Sequence, residues 1–214
     1  VKLNSDNTYY VVWKTAGKKI VTANGNSYTI LVKEKPENNC VIPETVMANS
    51  KVKVAGTYVT SAKWSSTPDC LEVSQSEGEE VIFVFKQTGN CTVTMEYNVD
   101  GQDFTQEYQV LVEENSIPAI SLVTIDASTC KYKLGIANKS IPTGAKGIHV
   151  YKETNRTGEY ALMTTIPANS TEYIDMASMP AVKSSRYCLS WNLPYGESDL
   201  GKAHQPMHTM INRG

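Results

Sequence analysis

The sequence has no long apolar run and no block of like charge. None of its apolar stretches approaches the roughly 18 consecutive residues that a membrane-spanning helix needs. Its 20 basic and 22 acidic residues are spread along the 214-residue chain. A nucleic-acid groove or a polybasic membrane patch requires concentrated positive charge. The sequence therefore predicts no nucleic-acid partner and no transmembrane segment in this chain.

The N-terminus lacks the charged segment and the following apolar segment that mark a secretory signal peptide. We therefore expect the chain as given to be either cytosolic or the mature part of an exported protein. Its twelve tyrosines and its many Thr, Ser, Asn and Val residues favour an exported β-protein, because aromatic and β-branched residues are enriched in strands.

The short motifs that mark common catalytic and metal sites are missing. The chain has no CxxC, HExxH or GxSxG motif and no glycine-rich phosphate loop. His204 and His208 have the spacing that places two imidazoles together on a helix, but Pro206 lies between them. Along a strand, four residues span about 13 Å, which is too far for one zinc ion. We interpret His149 as a residue on a strand face, and we predict no metal, no cofactor and no enzymatic activity.

The sequence does contain many short apolar stretches separated by turn signals. Hydrophobic residues make up 41% of the chain, which is enough for packed cores and excludes a disordered chain. In the stretch 91–99, Val93, Met95 and Tyr97 alternate with polar residues, as in a half-buried strand. The predicted strands are 8–14, 27–33, 40–47, 51–56, 60–66, 70–75, 79–86, 91–99, 105–113, 120–126, 130–137, 147–153, 159–167, 171–176, 185–192 and 204–211. No stretch keeps a helical period over three turns, so we predict an all-β fold.

The strands fall into two series separated by a short linker at 115–118, where Pro118 prevents strand continuity. Seven short strands with glycine in the turns are typical of a sandwich. We predict tandem antiparallel immunoglobulin-like β-sandwiches at 36–115 and 116–214. Residues 1–35 contain too few strands to close a sandwich, so we interpret them as a partial immunoglobulin-like module or as extra strands. Their unpaired strand edges favour self-association.

Three runs in the second series, GIHVYKETNRTGEYALMTTIP, TEYIDM and SSRYCLSWNLPYGESDLG, follow one another as strands C to F do in a fibronectin type III domain. Residues 116–214 therefore resemble a divergent form of that domain, common in multidomain bacterial surface proteins, and Tyr187 occupies its tyrosine-corner position. The runs AKWSST and TGNCTVTMEYNVDG resemble a polycystic-kidney-disease-type (PKD-like) module, with Cys91 where that family usually has tyrosine. The N-terminal TYYVVWKTAGKKI and NGNSYTI look like the middle of another such module.

The five cysteines are too few and too widely spaced for a disulfide-built miniprotein. On the strand assignments that the resemblance implies, the end of strand C lies beside the start of strand F, which brings Cys70 near Cys91. Cys130 and Cys188 fall near the starts of strands B and F, and a bridge there would resemble that of immunoglobulin domains. Alternation along its strand, however, points Cys188 outward. Both pairs are candidate disulfides, and Cys40 is left as a small apolar residue.

Several aromatic residues are candidates for a contact surface. Trp64 matches the buried tryptophan of strand C in sandwiches, so we expect it in the core. Trp13, Trp191 and Tyr195 are candidate exposed contacts, because an exposed ring can stack on a sugar or anchor a protein interface. The alternative, which we favour, is that these residues pack at a domain junction.

The leading functional hypothesis is a non-catalytic, exported or cell-surface modular protein that acts as a structural spacer or as a protein-interaction and adhesion module. Its location would be the cell surface, the extracellular space or the periplasm, and its protein or glycan partner is not identifiable from the sequence. The alternative is a carbohydrate-binding accessory module of a bacterial glycan-capture system, which predicts a row of exposed aromatic residues. A further alternative is an accessory fragment of a larger exported enzyme.

Overall fold

The computed structural model describes residues 2–3, 9–10, 13–34, 36–75, 79–137, 140–154, 158–180 and 184–206. Within these ranges the chain forms eighteen β-strands, paired into six sheets, and no helix. The described residues accordingly contain no helix that could serve as a membrane span. The prediction of an all-β protein is confirmed.

The N-terminal part forms two separate two-stranded sheets. Their strands are β1 (Lys2–Leu3), β2 (Tyr9–Tyr10), β3 (Gly17–Ala23) and β4 (Asn26–Val32). Asn24 and Gly25 join β3 to β4 with φ angles of 52° and 80°, as a type I′ hairpin turn requires. The sequence predicts β4 and this turn but assigns the start of β3 to a connection. β3 includes residues that the sequence assigns to a connection, because every residue of the strand, including its two lysines, pairs with β4.

The first sandwich consists of two sheets, ordered β5–β11–β10–β7 and β6–β9–β8. Its strands are β5 (Thr45–Met47), β6 (Lys51–Ala55), β7 (Lys63–Thr67), β8 (Leu71–Gln75), β9 (Glu80–Phe85), β10 (Gly89–Val99) and β11 (Gln102–Glu113). Alternate residues of β9 and β10, among them Phe83, Phe85, Val93 and Met95, fill the core between the sheets. Trp64 lies edge-on to Phe83, with ring centroids 4.8 Å apart, so its predicted core position is confirmed.

The second sandwich has sheets ordered β12–β13–β16 and β15–β14–β17–β18. Its strands are β12 (Ala119–Ile125), β13 (Tyr132–Ala137), β14 (Gly147–Glu153), β15 (Tyr160–Ile166), β16 (Glu172–Asp175), β17 (Tyr187–Leu193) and β18 (Gly196–Glu197). Its core includes Tyr132 and Leu134 from one sheet and Ile148, Leu189 and Trp191 from the other.

Both sandwiches have the strand arrangement of immunoglobulin-like folds. In the first, β6, β9 and β8 correspond to strands B, E and D, and β7, β10 and β11 correspond to C, F and G. In the second, the three-stranded sheet corresponds to A, B and E, and the four-stranded sheet to C′, C, F and G. β5, which pairs in parallel with β11, is the exception to the antiparallel pairing. The predicted tandem of immunoglobulin-like sandwiches is confirmed as a fold class.

The last strand that the structure describes in the second sandwich, β18, lies earlier in the sequence than the predicted one. The sequence predicts it at 204–211, but β18 begins directly after β17 and its turn, and residues 207–214 lie outside the described residues. Beyond β18, the backbone N–H groups of Ser198, Gly201 and His204 still donate hydrogen bonds to β17 carbonyls. Because these donors recur every three residues and not every two, the segment lacks the alternating pattern by which a strand is recognised in a sequence.

A buried carboxylate links the two sheets of the second sandwich. Asp175 in β16 is 0% exposed and accepts hydrogen bonds of 2.7 Å from Lys152 Nζ in β14 and from the Tyr187 hydroxyl in β17. The Lys152 ammonium also lies 5.7 Å from the centre of the Tyr187 ring. The hydroxyl of a tyrosine corner ordinarily hydrogen-bonds to the backbone, whereas the Tyr187 hydroxyl donates to the charged side chain of Asp175.

Candidate functional site

The two sandwiches meet at a packed contact centred on Met47, Ser116, Trp191 and Tyr195, which we call the junction. Met47 ends β5 of the first sandwich, but its side chain is 1% exposed and packs in the core of the second. Tyr195, in the turn between β17 and β18, packs against both cores. The Met47 N–H donates a 2.7 Å hydrogen bond to the Tyr195 hydroxyl. The junction is therefore both apolar and hydrogen-bonded.

The linker between the sandwiches is fixed by its own hydrogen bonds. The Trp191 indole N–H donates to the backbone carbonyl of Ser116. The Ser116 hydroxyl donates to the Ser140 carbonyl at 2.6 Å, and its N–H lies 3.4 Å from the Met47 sulfur. Donors and acceptors at this one residue therefore tie the linker to both sandwiches.

A polar rim surrounds the junction. Glu113, at the end of β11, accepts hydrogen bonds from the Thr143 N–H at 2.9 Å and from the Thr143 hydroxyl. On another side, Gly196 in β18 approaches the backbone of Lys51, and an added Cβ there would lie 3.5 Å from the Lys51 carbonyl oxygen. An apolar centre with a polar rim is the usual anatomy of a stable interface.

The three aromatic residues predicted as exposed contacts are buried or half-buried in the structure. Trp191 is 0% exposed, so the expectation that it forms an exposed contact is wrong; β17 directs it into the core, where its N–H reaches the linker. Tyr195 is half-buried at the junction, which agrees with the alternative of domain-junction packing. Trp13 is half-buried, and its role remains a prediction. The sequence did not single out Met47, because nothing in a strand-end methionine indicates which core it enters.

A sugar platform of the predicted kind needs a row of exposed rings. Among the residues whose exposure the structure describes, Tyr28 is the one exposed aromatic residue. The other described aromatic side chains are buried or half-buried. A single ring on a hairpin does not make a row, so the described residues give the carbohydrate-binding alternative no specific support.

Polar side chains gather on the outer face of the four-stranded sheet of the second sandwich, an outer-face cluster of His149, Tyr151, Cys188, Ser190 and Glu197. The register β14–β17 pairs His149 with Ser190 and Tyr151 with Cys188. The Tyr151 hydroxyl donates a 2.6 Å hydrogen bond to Glu197, and the Ser190 hydroxyl donates to the same oxygen. Burial and the Glu197 carboxylate raise the pKa of Tyr151 to about 12.

The outer-face cluster is poorly arranged for nucleophilic catalysis. A nucleophile must be accessible to its substrate, but Cys188 and Ser190 are 1% and 0% exposed. His149 Nδ1 lies 2.7 Å from the Thr165 hydroxyl, so the imidazole is engaged by a threonine. Burial, together with the charge of Glu197, raises the pKa of Cys188 to about 11. A thiol with that pKa is protonated at neutral pH and is a weak nucleophile. The cluster is better explained as hydrogen bonding between strands.

The histidines do not form a metal site in the part of the chain that is described. His204 pairs with Tyr187 through two backbone hydrogen bonds of 2.8 Å, while His208 lies outside the described residues. Across the described ranges, no group of three or more His, Cys, Asp or Glu side chains is placed to hold a metal ion.

The two candidate disulfide pairs differ in whether their side chains face each other. The sulfur atoms of Cys70 and Cys91 are 2.8 Å apart, and both residues are buried. Cys188 points away from the core, as alternation indicated, because Tyr187 and Leu189 on either side of it point inward. Cys130 is exposed in the turn before β13. The predicted pairing of Cys130 with Cys188 is therefore contradicted by the direction of Cys188.

The hairpin of β3 and β4 exposes apolar side chains on both of its faces. Ile20 and Leu31 on one face are 71% and 65% exposed, and Tyr28 and Ile30 lie on the other face, also exposed. Within the described residues, β3 and β4 pair with each other and with no further strand. The outer edges of both strands are consequently open to another chain segment.

No protein-family model matches the sequence, and no curated protein matches it. Several solved multidomain structures show some similarity. Titin domains A168–A170 share 10% identity over 95% of this chain and 75% of that chain, with a TM-score of 0.33. Chicken CNTN1 domains FN1–FN3 share 7% over 88% and 75%, with a TM-score of 0.37. The N-terminal four Ig domains of Dscam1 isoform 6.9 share 11% over 96% and 64%, with a TM-score of 0.26. These scores are low, and the fold class rests on the strand order of the sheets.

Proposed function

We propose that this chain is a non-catalytic, exported modular protein that acts as a stiff spacer and presents a protein-interaction or adhesion surface outside the cell. The observation that carries the proposal is the junction. Met47 leaves its own sandwich to complete the core of the next one, and its N–H is bonded to Tyr195 across the contact. Modules that must be free to rotate do not share core residues.

The energetic cost of bending at the junction follows from these contacts. Withdrawing Met47 from the second core would expose a side chain whose burial is worth about 1.5–3 kcal/mol. Breaking the partly buried hydrogen bond from the Met47 N–H to the Tyr195 hydroxyl exchanges it for a bond to water, at a further cost of about 0.5–1.5 kcal/mol. A penalty of this size keeps the sandwiches in one arrangement, as a spacer requires.

Other features fit the same proposal. The nucleophiles of the outer-face cluster, Cys188 and Ser190, are buried away from any substrate, which supports a non-catalytic role. We place the module boundaries at 35/36 and 115/116, with a PKD-like first sandwich, a fibronectin type III-like second sandwich and a bacterial origin as parts of the proposal. The cell surface, the extracellular space and the periplasm all suit a chain of this composition.

Nuclear magnetic resonance relaxation tests the stiffness and the boundaries together. Backbone nitrogen-15 relaxation of the full chain should give one common, anisotropic rotational diffusion for residues of both sandwiches. If 1–35 is a separate partial module, the hairpin residues 17–32 should show additional internal motion, whereas extra strands of the first sandwich should tumble with it. Independent tumbling of the two sandwiches in the unmodified protein would contradict the spacer proposal.

A matched pair of variants locates the cause of the stiffness. Met47→Ala combined with Tyr195→Phe should let the sandwiches tumble separately while each keeps the amide spectrum of a folded domain. Asp103→Ala removes an exposed side-chain hydrogen bond from Asn98 at the end of β10 and β11 that lies away from β5, and it should leave the common tumbling unchanged. If the double variant also tumbles as one body, the junction residues are not what holds the two sandwiches together.

We further propose that the hairpin pairs with a second copy of the chain through the outer edge of β4. Charged residues on edge strands discourage pairing, and β3 carries Lys18 and Lys19, whereas β4 carries no charged residue. Two β4 strands can therefore align without charge repulsion, and the unpaired N–H and C=O groups of their outer edges become hydrogen-bonded. Sedimentation velocity across a concentration series tests this self-association.

A further inference from the structure

Cys70 lies where the first sandwich passes from one sheet to the other. The chain leaves β7 at Thr67 and enters β8 at Leu71, so Cys70 is at the end of a three-residue crossing. Its backbone is fixed on both sides, because its N–H bonds to the Ser66 hydroxyl at 3.1 Å and its carbonyl accepts from the Lys86 N–H at 2.8 Å. The position of the Cys70 side chain is consequently set by the fold.

Cys91 faces Cys70 across the core. It is the first inward-facing buried residue of β10, in the opposite sheet from β8. The two residues are 3% and 1% exposed, and their sulfur atoms are 2.8 Å apart. Because a disulfide bond is about 2.05 Å long, small side-chain rotations are enough to join them. Such a bond would connect the two sheets of the first sandwich.

The other three cysteines have different surroundings. Cys40 lies under Gly56, whose backbone approaches that of Cys40 closely. Cys188 is on the outer face of the second sandwich, and Cys130 is exposed in a turn. The contact between Cys70 and Cys91 is thus the one sulfur–sulfur hydrogen-bond contact among the described residues.

We propose that Cys70 and Cys91 are joined by a disulfide bond in the mature protein, formed while the chain folds in an oxidising compartment. The two S–H bonds break, one S–S bond forms, and two protons and two electrons leave the cysteine pair. The electrons pass by thiol–disulfide exchange to the disulfide of an oxidoreductase of the exporting compartment, which is reduced to a dithiol. No group of this protein other than the two thiols takes part.

The buried position determines when the bond forms. Burial, with the contact to Cys70, raises the pKa of the Cys91 thiol to about 12, and the thiolate is the form that undergoes exchange. Exchange in the folded core is therefore slow, and oxidation occurs before the core closes. Once the sheets have packed, the same burial keeps reductants away from the bond.

Mass spectrometry of the full chain, exported into an oxidising compartment and purified without reductant, tests the proposal. After unfolding, alkylation should modify Cys40, Cys130 and Cys188, and peptide mapping should find one linked peptide pair containing Cys70 and Cys91. Reduction before alkylation should make all five cysteines reactive. Five reactive thiols in the unreduced protein, or a linkage of Cys70 to another cysteine, would overturn the proposal.

Thermal unfolding provides a second measurement on the same protein. The bond closes a loop between residues 21 positions apart, and losing a link of that size should lower the Tm of the first sandwich by about 10–20 °C. Cys70→Ser should show this loss and should be insensitive to reductant. Cys130→Ser is the matched control. It should keep the high Tm, and its Tm should fall once the protein has been unfolded, reduced and refolded. Equal Tm values for the oxidised and the reduced wild-type protein would also count against the bond.

Discussion

Replacing Asp175 by asparagine should be among the most destabilising single changes in the second sandwich. Asp175 is fully buried and holds together two sheets through Lys152, in β14, and Tyr187, in β17. Its other carboxylate oxygen accepts a 3.0 Å hydrogen bond from the Ala177 N–H. The substitution keeps the shape of the side chain but removes the charge that Lys152 faces.

The magnitude follows from what the substitution leaves behind. Removing one partner of a buried ion pair costs about 3–5 kcal/mol, but the Lys152 side chain is 24% exposed and can turn partly to water. We therefore expect Asp175→Asn to lower the free energy of unfolding by about 2–4 kcal/mol. Tyr187→Phe removes one hydrogen bond to a charged group and should cost about 1.5–3 kcal/mol. Tyr151→Phe, which removes an exposed hydroxyl bond, should cost about 0.5 kcal/mol.

The pH dependence has a definite sign. Burial alone would raise the pKa of Asp175, but the hydrogen bonds from Lys152 and Tyr187 and the lysine charge outweigh it, so the pKa lies below its usual value. A carboxylate whose pKa is lower in the folded state adds stability above its unfolded pKa, about 3.9. That stability is lost as the pH falls through the folded pKa. The gap between wild type and Asp175→Asn should therefore be full at neutral pH and narrow in acid.

Urea denaturation, followed by tryptophan fluorescence, measures this gap at a series of pH values from neutral to about 3. The Asp126 carboxyl also has a lowered pKa, about 2, because Ser128 and Thr129 hydrogen-bond to it. It is present in both proteins, so the difference between them isolates Asp175. Our reasoning about the buried carboxylate fails if the variant is as stable as wild type at neutral pH, or if the gap stays constant in acid.

Two further predictions concern a close backbone contact and the hairpin. Gly56→Ala should lower the free energy of unfolding by at least about 2 kcal/mol more than Gly89→Ala does. Both glycines have positive φ, but only at Gly56 would an added Cβ lie 2.7 Å from a backbone atom of Cys40. Equal urea midpoints for the two variants would refute the importance of this contact. Leu31→Lys should abolish concentration-dependent sedimentation of the chain, whereas Val41→Lys, at an exposed apolar residue outside the strands, should not. If the unmodified chain sediments as a monomer throughout, the proposed pairing of β4 edges is wrong.

The sequence was informative where side chains alternate between a core and water. Val93, Met95 and Tyr97 appear on one face of a predicted strand, and β10 buries those three residues. The Asn24–Gly25 turn was equally visible, because few residue pairs adopt positive φ at both positions. Local rules of this kind are enough to predict the fold class, since the alternation of apolar and polar residues within each strand indicates which of its faces is buried.

The features that combine distant strands were harder to predict. The proximity of Cys70 and Cys91 could be anticipated, because it depends on strand order. Trp191 was a candidate exposed contact with junction packing favoured, and alternation along its strand already placed it with the core residues Tyr187 and Leu189. Nothing in the sequence indicated that Met47 enters the second core, because a residue's destination across a junction depends on how two complete domains meet.

The junction and the proposed disulfide both restrain the four-stranded sheet of the first sandwich. β10 begins beside Cys91 and pairs along its whole length with β11, which leads directly into the linker and flanks β5, where Met47 lies. A bond between Cys70 and Cys91 would fix β10 to the opposite sheet, and the contacts of Met47 fix β5 to the second sandwich. With that bond in place, the sheet β5–β11–β10–β7 would be fixed at β10 to the opposite sheet and at β5 to the second sandwich. A force applied along the chain would pass through this sheet to the second sandwich, which is the mechanical property that a spacer needs.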